Sequence, residues 1–190
     1  MNNFFIIHGI TGPNTWMEWL ENSLLSLGDV FVPEFPCGKK AIRKDWESKM
    51  SEVKDKINAA TIFICHSIGC LFAINYLAKH NIKIKAIIFV AGPADASLIP
   101  LPDGKKSILP RVLEDFLPKA NTTQKFLKLV GQTFAVYSNE DHIFPIENLQ
   151  KFAKNLKAKE IRIYDRSKGH FGSRDNVESI SEIYEIIKTF

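Results

Sequence analysis

Ile64-Cys65-His66-Ser67-Ile68-Gly69 lies where two sequence patterns meet. Ahead of the serine, Thr61–Cys65 is a short apolar run of strand length. Behind it, Leu71, Phe72, Ile74 and Leu77 belong to a segment that is apolar nearly all round, as a buried central helix is. A serine on a sharp strand-to-helix turn has its hydroxyl pushed out above the sheet. Small residues two positions to either side let strand and helix approach that closely. The usual pattern is G-x-S-x-G; here Gly69 is present, and Cys65, also small, replaces the first glycine. The competing reading is a serine N-cap on an ordinary helix.

Outward from this turn, the chain alternates short apolar runs with helix-period segments, the pattern of a parallel α/β sheet. Six runs read as strands: Phe4–His8, Val30–Pro33, Thr61–Cys65, Ala86–Val90, Phe134–Tyr137 and Glu160–Tyr164. Most are rich in Ile, Val and Phe with little polar alternation, as strands covered on both faces are. Thr15-x-x-Glu18 reads as a capping box, Gly28 as the stop of the helix that follows, and Trp16, Leu20, Leu24 and Leu27 as its apolar stripe. Trp46, Met50, Val53 and Ile57 give a second helix from near Asp45. Pro145 opens a helix carrying Ile146, Leu149, Phe152 and Leu156, and Val177, Ile180, Ile183 and Ile187 give a last helix from near Asp175. Gly92 to Gly131 breaks the rhythm with Pro93, Pro100, Pro102, Pro110 and Pro118. Short helices are expected there at Arg111–Leu117 and near Thr123–Val130. The segment reads either as a lid over one end of the sheet or as a long irregular crossover.

A nucleophilic serine needs a base to take its proton and a carboxylate to hold that base in one tautomer. In an open α/β sheet both come from loops at the carboxyl ends of later strands. Asp141 follows the fifth strand within Ser138-Asn139-Glu140-Asp141-His142, and His170 follows the sixth within Gly169-His170-Phe171-Gly172. The first strand ends in His8-Gly9-Ile10-Thr11-Gly12, where a turn aims the N–H of Ile10 at the same point as the N–H of Ile68. Two such donors stabilise an oxyanion. Gly9-x-x-Gly12 lacks the Gly-Lys-Ser/Thr of a phosphate loop, which disfavours a nucleotide binder. His142 competes with His170 as base, and Asp165 competes with Asp141 as the orienting acid. His66 is expected to point to the other side of the turn. Cys65 and Cys70 read as packing, and Phe35, Trp16 and Trp46 as core or pocket rim, with Phe35 a candidate lining residue.

The composition sets bounds on these readings. The chain has 190 residues, 45% hydrophobic and 24% charged, which suits one soluble globular domain over 1–190. No apolar run reaches the roughly 18 residues of a membrane span. No secretory leader is read in the first residues. Cys37, Cys65 and Cys70 are few and lack zinc spacing, so free thiols in a reducing, cytoplasmic setting are expected. The net charge of +4 is spread over helices, and the one dense basic cluster, Lys39 to Lys44, lacks interleaved aromatic residues. That excludes nucleic acid as the expected partner.

Taken together, Ile7-His8-Gly9, Cys65-His66-Ser67-Ile68-Gly69, Asn139-Glu140-Asp141 with Pro145, and Gly169-His170-Phe171-Gly172 resemble the α/β-hydrolase superfamily over essentially the whole chain. The early first strand, with no room for an opening hairpin, is most similar to the compact serine hydrolases of the retinoblastoma-binding-protein-nine and YdeN type. The resemblance implies a three-layer α/β/α fold with a six-stranded, mainly parallel sheet. It implies Ser67 as nucleophile, Asp141 as acid and His170 as base, with Ile10 and Ile68 as the oxyanion donors. It implies acyl transfer from a small ester, thioester or amide to water, with no metal or organic cofactor. The alternative is a protein-interaction module on the same fold with a weak or dead triad. The apolar residues Ile99, Leu101, Ile108, Leu109 and Phe116 suggest a shallow pocket for a small acyl group.

Overall fold

Residues 2–99, 108–165 and 167–190 are described in the computed structural model. Six strands, β1 (Asn2–Ile7), β2 (Gly28–Phe31), β3 (Ile62–His66), β4 (Ile84–Val90), β5 (Val130–Ser138) and β6 (Lys159–Ile163), form one sheet in the order β2-β1-β3-β4-β5-β6. All of its pairings are parallel. The helices are α1 (Thr15–Leu24), α2 (Arg43–Ser51), α3 (Ile68–His80), α4 (Leu109–Phe116), α5 (Ala120–Phe126), α6 (Ile146–Asn155) and α7 (Ser181–Ile187).

Strand alternation divides the core in two. Phe4, Ile6, Ile62, Ile64, Ala86 and Ile88 face one side, where α1 and α7 cover them. Phe5, Ile7, Phe63, Cys65, Ile87 and Phe89 face the other, under α2 to α6. Handedness explains the split. The step from β1 to β2 runs one way across the sheet and every later step runs the other way, so right-handed crossovers put α1 on the opposite face from α2 to α6. The reversal falls between β1 and β3, and a crevice at the carboxyl ends of such strands is where open α/β sheets bind ligands. Ser67 and the His8-Gly9-Ile10 turn both lie there.

Several boundaries differ from the sequence reading. Gly28 does not stop α1; it opens β2 and pairs with Asn2, so β2 starts before Val30. Thr15 lies inside α1, whose N-cap is Asn14. That side chain bonds elsewhere, to the Phe171 carbonyl, so the expected capping box does not form. α2 ends at Ser51, and Val53 and Ile57 continue its stripe against the same core outside the helix. α7 starts at Ser181, after Val177 and Ile180 have been buried by loop backbone. Of the candidate lid, Pro100, Leu101 and Pro102 lie outside the described residues. α4 and α5 belong to the helical layer beside α3: Leu113, Phe116 and Phe126 are buried in its core, and Asn75 Nδ2 donates to the Phe116 carbonyl at 2.7 Å.

Candidate active site

The serine turn is strained and firmly held. Ser67 has φ 53° and ψ −123°, a region that non-glycine residues avoid, at a cost of order 1–3 kcal/mol. Its N–H donates to the Val90 carbonyl at 2.9 Å and its carbonyl accepts from Cys70 N–H at 3.0 Å, so β4 and α3 grip it from both sides. Gly69 is obligatory because α3 starts directly over the end of β1; a Cβ there would stand 2.5 Å from the His8 carbonyl oxygen. Gly9 is equally confined, since its Cβ would stand 2.9 Å from His66 Nδ1 and 3.1 Å from Ser67 Cβ. Cys65 is accommodated because its side chain enters the core under α3, where Cys70 Sγ donates to the Cys65 carbonyl at 3.0 Å. Burial pushes both thiols upward, so they pack as apolar groups.

Three loops from distant parts of the chain converge on this turn. Ser67 Oγ lies 3.0 Å from His170 Nε2, and His170 Nδ1 lies 2.7 Å from Asp141 Oδ2. With Nδ1–H donating to the carboxylate, Nε2 is left to accept the serine proton. The second carboxylate oxygen, Asp141 Oδ1, accepts the N–H groups of Ile143 at 2.8 Å and Phe144 at 2.9 Å. Burial works to raise the Asp141 pKa. The facing His170 and these two backbone donors outweigh it, and the carboxyl sits below its ordinary range.

The oxyanion candidates occupy the ends of β1 and β3. Ile68 is the first residue of α3, where helix N–H groups have no partner within the helix. The Ile10 turn is fixed from outside: its carbonyl accepts Gly38 N–H at 2.8 Å. His8 Nδ1–H donates to the Gly9 carbonyl at 2.7 Å, while its Nε2 accepts Phe35 N–H at 3.0 Å. Burial depresses the His8 pKa and holds the ring neutral, as a group that donates and accepts at once must be. The role of Phe35 follows from this. It is 4% exposed and stacks on Trp46 at 4.5 Å, so it is core, and its backbone fastens the turn.

The competitors are placed elsewhere. Asp165 accepts Ser167 N–H at 2.9 Å and Ser167 Oγ–H at 2.7 Å, capping its own loop at the surface. His142 is half exposed, with Nδ1 3.4 Å from Asp175 Oδ1. His66 does point to the opposite face of the sheet from Cys65, but it is engaged there: its Nε2 lies 2.8 Å from the His170 carbonyl oxygen. Trp16 Nε1–H at 2.9 Å and Asn14 Nδ2 at 2.8 Å both donate to the next carbonyl, that of Phe171. Asp175 Oδ2 accepts Gly172 N–H at 2.7 Å. Sequence reasoning misses these supports. Their one visible signal is the indole N–H of a buried tryptophan, which must find an acceptor.

Among the described residues no helix is long and apolar enough to cross a membrane. The family model described as serine hydrolase matches residues 4–189. Among solved structures, the ydeN gene product of B. subtilis superposes with a TM-score of 0.84 at 22% identity, covering 100% of this chain and 98% of that one. A carboxylesterase structure from the thaumarchaeon Nitrososphaera gargenis gives 0.70 at 16% identity, covering 100% and 89%. The thioesterase domain from the curacin biosynthetic pathway gives 0.66 at 14%, covering 100% and 91%. No curated protein matches in a sequence comparison. At such identities the structural likeness concerns the fold, an α/β hydrolase, and the YdeN side of the sequence resemblance is the one these structures support.

Proposed function

The chain belongs to the serine hydrolase family, and from that premise we propose that it hydrolyses a small ester, thioester or amide through an acyl-enzyme formed on Ser67. The observation that carries this reading is the unbroken relay from Asp141 through His170 to Ser67, with links of 2.7 and 3.0 Å. Ser67 Oγ attacks the substrate carbonyl while His170 Nε2 takes its proton. Asp141 keeps the ring in the tautomer that can accept and stabilises the imidazolium that forms. The N–H groups of Ile10 and Ile68 receive the oxyanion. His170 then protonates the leaving group, and in the second half it activates water to release the acid. Esterase and thioesterase chemistry among structures of the same fold agrees with an acyl substrate. A small acyl group suits a centre in which Ser67 and His170 are only 2% and 8% exposed.

The test is labelling with a fluorophosphonate, peptide mapping of the adduct, and kcat/KM on p-nitrophenyl esters from acetate to palmitate. Ser67 alone takes the label, and Ser67→Ala lowers kcat by about 10⁴–10⁶. The specificity constant rises over the first few carbons, by up to about 0.8 kcal/mol for each buried methylene, then flattens. An adduct on another residue, or full activity in the alanine variant, overturns the assignment. A steady rise to palmitate overturns the small acyl pocket. An unlabelled Ser67 with no hydrolysis of any ester leaves the interaction-module reading instead.

A further inference from the structure

We infer that His66 is a positioning residue for the base: its Nε2–H holds the His170 backbone carbonyl and so fixes where the His170 ring stands between Asp141 and Ser67. This rests on the proposed role of His170.

The geometry assigns the tautomer. A carbonyl only accepts, so the 2.8 Å contact from His66 Nε2 to the His170 oxygen requires the proton on Nε2. Nδ1 is then a bare lone pair, and it is buried without a hydrogen-bond partner. It is pressed against Gly9, where even a Cβ would come within 2.9 Å. The opposite tautomer would bury an unpaired N–H against Gly9 and set a lone pair against a carbonyl oxygen, so packing selects the donor on Nε2. The ring is clamped in that pose, edge-on to Trp16 at 6.0 Å and 5.1 Å from the His170 ring.

The bond falls at the sharpest bend of the loop. Phe171 has φ 57°, a left-handed conformation costly for an aromatic residue, and the His170 carbonyl belongs to the peptide just before it. Two successive carbonyls of the loop are taken by donors far away in sequence, His170 by His66 and Phe171 by Trp16 and Asn14. The N–H of that peptide donates to the Lys168 carbonyl at 2.8 Å, so the His66 donor fixes its other end; without it the carbonyl can tilt, and the His170 ring moves with its Cα. Shifts below 1 Å matter at a relay whose links are near 3 Å. The charge state also fits. Burial first, and the neighbouring His170 second, depress the His66 pKa to about 3, so no second cation appears beside the imidazolium during turnover.

Two variants and one measurement on the unmodified protein test the inference. His66→Gln places an amide N–H near the position of Nε2; His66→Asn is too short to reach the carbonyl. His66→Asn is expected to lower kcat about 10- to 100-fold with KM changed less than about threefold, and His66→Gln to restore most of that loss. The downfield proton of the His170–Asp141 bond, read by NMR without substrate, weakens in His66→Asn and persists in His66→Gln. This signal separates the two ideas. A protein that hydrolyses no ester removes the proposed function, while the proton still reports whether His66 positions His170. Wild-type kcat and an unchanged proton signal in a folded His66→Asn overturn the inference. If neither variant folds, ¹⁵N NMR of the wild-type imidazole decides: an Nε2–H tautomer supports the role and an Nδ1–H tautomer overturns it.

Discussion

The loop carrying Asp141 and the loop carrying His170 deliver one side chain each to the same point, but they are held in different ways. The acid loop holds itself. Asp141 Oδ1 takes the N–H groups two and three residues on, and Ser138 Oγ accepts Glu140 N–H at 3.0 Å. A long-range tie reaches its backbone at the Ile143 carbonyl, which accepts Ile99 N–H at 2.9 Å. The base loop closes on itself through its N–H groups, Phe171 on the Lys168 carbonyl at 2.8 Å and Gly172 on Asp175 Oδ2 at 2.7 Å. Its carbonyls at His170 and Phe171, however, are held from outside, by His66 on β3 and by Asn14 and Trp16 at the start of α1. The loop passes through positive φ at Gly169 (44°) and Phe171 (57°). A self-closed turn tolerates change elsewhere in the molecule, whereas a loop whose carbonyls need distant donors depends also on the packing of its neighbours.

The largest effect should come from breaking the acid loop at its functional oxygen. Asp141→Asn should lower kcat by about 10⁴, because an amide facing His170 Nδ1 favours the wrong tautomer. Asp165→Asn, at the surface of the base loop, should leave kcat within about twofold, since its hydrogen bonds go to Ser167. Steady-state kinetics of the two variants tests this. The reverse ranking would make Asp165 the orienting acid.

Acid should undermine the two loops in different pH windows. His66 in the unfolded chain takes a proton near pH 6.5, but in the folded protein only near pH 3. Between those values the unfolded state binds more protons, so stability falls as pH falls, by up to about 5 kcal/mol over the whole window. His8, also held neutral by burial, adds to the same slope. Asp141 works lower down. Its folded pKa is depressed, so its contribution is present above the ordinary carboxyl range, near 4, and drains only as pH falls through the folded value. Urea unfolding at pH 7 and pH 4.5 should therefore show a loss of roughly 2–3 kcal/mol that His66→Gln largely removes, with His8 leaving a residual slope. An equal loss in the variant would mean that His66 is not the buried neutral group.

The same contrast decides which features are legible in the amino-acid sequence. The serine turn and the acid loop can be read there because their chemistry is local: an apolar strand, a small residue, a serine, a glycine, then an aspartate just past a strand end and ahead of Pro145. The alternation of strands and helices carries the layers for the same reason. What is not legible is set by contacts distant in sequence. Gly28 looks like a helix stop until Asn2 pairs with it. Asn14 and Thr15 look like a helix cap until Phe171 arrives from the far end of the chain. His66 looks idle until the carbonyl it serves is brought across the sheet.

Trp16→Phe sharpens the comparison at moderate cost. It keeps the ring in the α1 core and removes one donor from the Phe171 carbonyl, which retains Asn14 Nδ2 at 2.8 Å. A stability loss of about 1–2 kcal/mol is expected by denaturant titration, with kcat lowered several-fold because the base loop loosens. Pairing Trp16→Phe with Asn14→Ala should cost more than the two losses added together, since the carbonyl is then left with neither donor. Strict additivity would show that the base loop does not lean on α1.

The smallest effect is expected inside the acid loop, at Ser138. This side chain is fully buried at the end of β5, and its Oγ accepts Glu140 N–H at 3.0 Å. Ser138→Ala removes that acceptor and leaves one N–H to find water at the loop surface, where Glu140 is exposed. The expected loss is about 0.5–1.5 kcal/mol of stability, the ordinary net value of one hydrogen bond. Catalysis should hardly respond. Asp141 Oδ1 keeps Ile143 and Phe144 N–H, and Oδ2 keeps His170, so the carboxylate stays where three bonds place it. A kcat within about twofold of wild type, beside a measurable drop in unfolding midpoint, is the outcome a self-closed turn requires. A tenfold fall in kcat at the same stability loss would mean that Ser138 aligns the carboxylate, and that the three bonds on Asp141 do not hold it in place by themselves.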